Sequence, residues 1–65
     1  MSDLATALRN QSVLRWLANL PPGARDLVSF DYANAHGMPV DEVENIESEY
    51  LDLDWVYETY KREIA

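Results

Sequence analysis

Residues 39–64 read PVDEVENIESEYLDLDWVYETYKREI, and the spacing of their apolar side chains decides the fold class. Val43, Ile46, Tyr50, Leu53, Tyr57, Tyr60 and Ile64 step by three and four in strict alternation, the a/d stripe of a heptad pattern. Asp41 and Glu42 fall in what would be the first turn and Lys61 and Arg62 in the last, each at the end where the helix dipole favours its charge. The spacing predicts an amphipathic helix from about Pro39 to Ile64, ~36 Å long at about 1.5 Å per residue. If that helix has a kink or break, Asp52-Leu53-Asp54 is the place for it.

Upstream of this stretch two breaker clusters divide the chain, Pro21-Pro22-Gly23 and His36-Gly37-Met38-Pro39. No alternating β-rich run bounded by turn residues occurs, so three main helices are the economical reading. The first runs from about Asp3 to Asn19, with Leu4, Ala7 and Leu8 and then Val13, Leu14, Leu17 and Leu20 at helical spacing. These sets join imperfectly across Asn10-Gln11-Ser12, leaving one bent helix or two, the second capped by Ser12; Trp16 belongs to the core. The second begins near Pro22, suited to a first helical turn, and ends at Gly37, suited to the position after the last turn. Leu27, Val28, Phe30, Ala33 and Tyr32 are its expected inward residues. The fold expected is all-α, a single small helical domain over residues 1–65 with a long C-terminal amphipathic helix.

Only 65 residues are available, of which 48% are apolar types, enough to build a core but a small one. Domains of this size usually need disulfides, a metal or a partner chain. Cysteine is absent, which excludes disulfides, thiolate metal sites and redox pairs. Self-association remains, and a homodimer through the third helix or the first is expected. No apolar run approaches membrane-spanning length, and Met1-Ser2-Asp3 carries neither a basic leader nor an apolar one, so a cytoplasmic protein without membrane contact is expected.

The stretch from Ser29 to Ser48, SFDYANAHGMPVDEVENIES, resembles a helix-turn-helix. Gly37 stands as the turn glycine, Ala33 as the small residue four positions before it, and Tyr32, Met38, Val43 and Ile46 fill the apolar offsets. His36 departs from the pattern, because an apolar residue is usual there. The resemblance covers 20 of 65 residues and implies a geometry rather than a function. Carried through to function, it would make the chain a DNA-binding transcriptional regulator whose second helix reads a major groove. The charges oppose that alternative. Asp41, Glu42, Glu44 and Glu47 lie on that helix, and no Lys or Arg occurs between Arg25 and Lys61, whereas affinity for DNA rests on cations that displace counterions from phosphates.

The charge is distributed unevenly. Residues 1–40 balance three acids against three arginines, while residues 41–58 hold eight acids and no base; the net charge is −7. Such a block serves either as a solvated face or as a steering surface for a cationic partner. At about 100° per residue, Leu51 and Trp55 project opposite the heptad stripe, on the face shared with Glu44, Glu47 and Glu58. A helix with a second apolar patch needs a second surface to cover it. A break near residue 53 would instead swing Trp55 back into the core. Asp41, Glu44, Glu47, Leu51, Trp55 and Glu58 are the expected contact residues, carboxylates steering and Leu51 and Trp55 supplying desolvated area. The partner expected is a protein with a basic surface, such as the nucleic-acid-binding face of a transcriptional regulator. In size and charge class the chain resembles the short acidic proteins with which phages and mobile elements silence host proteins. A structural or assembly subunit is the remaining alternative.

Catalytic chemistry finds no support. His36 is the one histidine, placed at a helix end where it suits the dipole. Ser2, Ser12, Ser29 and Ser48 lack a nucleophile-elbow context, and two glycines cannot form a phosphate loop. Asp52-x-Asp54 resembles the start of a calcium loop, but Val56 follows and no glycine does. No catalytic residue, metal or cofactor is expected.

Overall fold

The computed structural model describes residues 3–65; Met1 and Ser2, on which part of the leader and nucleophile readings rest, lie outside them. The fold is all-α: helices α1 (Leu4–Ala18), α2 (Pro22–His36), α3 (Val40–Asn45) and α4 (Leu53–Ile64), with one 3-10 turn at Ser48–Tyr50. No helix of the described residues is long and apolar enough to cross a membrane.

Local chemistry sets each boundary. Asp3 caps α1, its carboxylate accepting from the Ala5 N–H and the Thr6 hydroxyl, both at 3.0 Å. The helix runs unbroken through Ser12, whose hydroxyl donates back to the Leu8 carbonyl instead of capping a second helix. Pro21 and Pro22 open α2, which Gly37 closes in the left-handed region at φ 63°. The Met38 N–H donates to the Ala33 carbonyl across that glycine at 3.0 Å, completing a Schellman-type end.

The expected long C-terminal helix is not formed. Its backbone turns extended at Ile46 and Glu47 and again at Leu51, and α4 starts afresh with Asp52 as its cap. Burial explains the break. In an unbroken helix the a/d stripe would turn Tyr50 inward and leave Leu51, Trp55 and Val56 off the seam. In the fold Leu51 is 6% exposed and Val56 is fully buried, while Tyr50 is 75% exposed. Enclosing an aliphatic side chain contributes about 1.5–3 kcal/mol, and a lost backbone hydrogen bond costs only about 1 kcal/mol. Two buried aliphatics therefore offset helical bonds surrendered at the breaks. The continuous seam that suggested a homodimer disappears with the helix.

Three fully enclosed valines, Val13 of α1, Val43 of α3 and Val56 of α4, mark where the elements converge. Leu17, Val28, Tyr32, Ala33 and Leu51 complete the core. Trp16, expected in the core, is half-buried at its edge, its ring 5.1 Å from that of Tyr60. Leu27 and Phe30, expected inward, are 66% and 61% exposed. Val28, Tyr32 and Ala33 already fill the buried side of α2, and Leu27 and Phe30 stand off that side.

Candidate partner interface

Within the stretch from Ser29 to Ser48, α2, the turn at Gly37 and α3 form a helix–turn–helix corner that ends at Asn45, before the stretch does. Ala33 is buried where α3 approaches α2, and Tyr32 and Val43 are buried with Met38 and Ile46 half-buried beside them. The second helix stops after six residues, short of the length that a groove-reading helix presents. Residues 41–49 form an acidic arm that leads from this short helix into the 3-10 turn before α4.

The eight acids of residues 41–58 divide into two groups. Asp52 pairs with His36 at 3.1 Å, Glu58 with Lys61 at 3.3 Å, and Asp54 with Arg9. Asp41, Glu42, Glu44, Glu47 and Glu49 are exposed or half-buried and take part in no ion pair among the described residues. The unpaired charge is thus concentrated on the arm. Beside its start lies an open groove of about 640 Å³, lined by the apolar Phe30, Met38, Pro39 and Val40 and by the polar Asp31 and Asn34. The two features adjoin, so steering charge and apolar area occur on one surface.

Of the residues expected to make contact, Asp41, Glu44 and Glu47 lie together on the arm. Glu58 is exposed but engaged with Lys61 on α4. Leu51 is a correction: it is core, with no area to offer a partner. Trp55 takes the inward alternative. Its ring meets Tyr32 edge-on at 5.4 Å, His36 at 5.3 Å and Tyr60 at 5.9 Å. The second apolar face of the C-terminal segment is covered by α2 of the same chain. Phe30 and Met38 were not anticipated as surface anchors; the signal available was that Phe30 stands about 160° from Val28 and Tyr32 on the helical wheel.

A polar knot holds the arm between its two ends. The His36 ring stacks on Tyr32 at 3.9 Å, its Nδ1 lies 2.9 Å from the Tyr32 carbonyl, and its Nε2 faces Asp52. Asp52 in turn accepts from the Trp55 N–H, while its own N–H donates to the Tyr32 hydroxyl at 2.8 Å. His36 is therefore more than a dipole cap; it ties the end of α2 to the start of α4. The Asp52 hydrogen bond first, and the Tyr32 carbonyl second, push the imidazole pKa above its ordinary value, and the same His36 contact lowers that of Asp52. Among the described residues no group of three or more His, Asp or Glu side chains converges to hold a metal ion. Comparison with protein families, curated proteins and solved structures finds no match to this chain.

Proposed function

We propose that the protein is a non-enzymatic, acidic protein-binding module that regulates or inhibits a partner by occupying that partner's basic, nucleic-acid-binding surface. One observation carries the reading: five unpaired carboxylates, Asp41, Glu42, Glu44, Glu47 and Glu49, sit beside an open groove of mixed polar and apolar lining that contains the exposed ring of Phe30. Carboxylates accelerate the encounter with a cationic surface and disfavour other partners. Phe30, Met38 and Val40 supply the desolvated area that charge alone does not. A solvated face needs the acids but not the groove, and the conjunction favours binding.

The charge pattern also opposes direct contact with nucleic acid, since no Lys or Arg stands on the corner helices between Arg25 and Lys61. A mobility-shift assay in about 50 mM salt, with a partner captured from the native host's lysate and its nucleic acid, tests the reading. The protein alone should not shift the nucleic acid, and adding it should release the partner's complex. A shift by the protein alone, or a partner that holds nucleic acid and this protein together, overturns it in favour of the DNA-reading or assembly alternatives.

A further inference from the structure

A second groove, of about 330 Å³, runs between the end of α1, the first half of α2 and the end of α4. Its walls are Trp16, Leu20, Leu27 and Val28. Leu27 is 66% exposed at its edge, an arrangement the core does not explain. Asp31 and Glu63 stand on its lining, and no Lys or Arg does.

Tyr60 is hydrogen-bonded to one of these carboxylates. Its hydroxyl donates to Asp31 Oδ2 at 3.0 Å. Burial, the Asp31 bond and the charges of Asp31 and Glu63 all hold its phenol in the protonated form. The hydroxyl donates to one carboxylate oxygen, and neither Asp31 nor Glu63 takes part in an ion pair among the described residues. The groove is apolar in its walls and anionic in its lining.

We infer that this groove docks an amphipathic helix from a partner protein, apolar side chains entering between Leu20 and Leu27 and a Lys or Arg seated against Asp31 and Glu63. Helix-in-groove recognition reads anchors at i, i+3, i+4 and i+7, and a flanking cation fits the two carboxylates. A second copy of this chain is the wrong occupant, because it brings another net charge of −7. The inference goes beyond the acidic arm: the groove includes none of residues 41–49, so either contact can fail without the other.

The probe is a synthetic helix with leucines at that spacing and flanking lysines, beside a version with glutamates for the lysines, titrated into the full chain and followed by amide NMR shifts. The lysine peptide should shift the amides of Leu20, Leu27 and Tyr60 and bind about tenfold less tightly to Leu27→Ser. Asp31→Asn with Glu63→Gln should weaken it further while leaving the amide spectrum folded. Equal binding of the glutamate peptide overturns the proposal. So does lysine-peptide binding that survives Leu27→Ser but is lost when the five arm carboxylates are neutralised, since the arm alone then attracts the cation. Concentration-dependent shifts at Leu27 in the peptide-free protein also overturn it, by showing a second copy in the groove.

Discussion

His36 Nε2 lies 3.1 Å from Asp52 Oδ2, and this contact spans the acidic arm from the last residue of α2 to the cap of α4. Both ring nitrogens face acceptors, the Tyr32 carbonyl and the Asp52 carboxylate, so only the imidazolium donates to both. His36 has its pKa raised above 6.5, so its stabilisation is complete below 6.5 and is lost as pH rises through the folded value. Asp52 has its pKa lowered below 3.8, so its contribution is complete above 3.8 and is lost as pH falls through the folded value. The pair stabilises most between those limits. The Tm difference between the native chain and Asp52→Asn should be largest near pH 5–6 and shrink by pH 8. A difference constant across that range contradicts the coupling.

Leu51→Ala should cost about 2–4 kcal/mol of stability, because the side chain is 6% exposed in the shared core. Tyr50→Ala should cost less than about 0.5 kcal/mol, its ring being 75% exposed. Denaturant unfolding of the two variants distinguishes the broken segment from an unbroken heptad helix, which would reverse the order.

These neighbours show where the sequence was legible and where it was not. The all-α class, the helix ends at Pro22 and Gly37 and the helix–turn–helix corner were written in local chemistry: breakers, caps and a small residue at the approach. The split of the C-terminal helix was not, because the heptad stripe is satisfied locally whether or not the helix continues. Long-range burial of Leu51 and Val56 in the shared core decides it, and periodicity does not report such burial. The acidic surface was legible as composition. Its division into paired and unpaired carboxylates depended on where Arg9 and His36 fall in space, the Glu58–Lys61 pair alone being local. Trp55 misled for the same reason as Leu51: it lies off the stripe, and its cover is α2 instead of another protein.

Trp55→Ala is accordingly a stability variant. It removes an indole packed edge-on against Tyr32, His36 and Tyr60 and should cost about 3 kcal/mol. A folded Trp55→Ala chain with unchanged Tm contradicts the packing described.

Gly37→Ala isolates a backbone effect. The residue sits at φ 63°, and a Cβ added there meets nothing within 4 Å, so the penalty is conformational and should be about 1 kcal/mol. Gly37→Asn should recover part of it, since asparagine tolerates the left-handed region. Thermal melts of both variants give the comparison; an alanine variant as stable as the native chain contradicts the turn geometry.

On the function proposed above, the unpaired arm carboxylates recognise a cationic protein surface. The most direct measurement of that recognition is capture from the native host's lysate at two salt concentrations, about 50 and 300 mM. The native chain is compared with one carrying Asp41→Asn, Glu42→Gln, Glu44→Gln, Glu47→Gln and Glu49→Gln. The native chain should retain a basic nucleic-acid-binding protein at the lower salt and release most of it at the higher, and the neutralised chain should retain none at either. The same protein retained equally by both chains, or without regard to salt, would contradict the account.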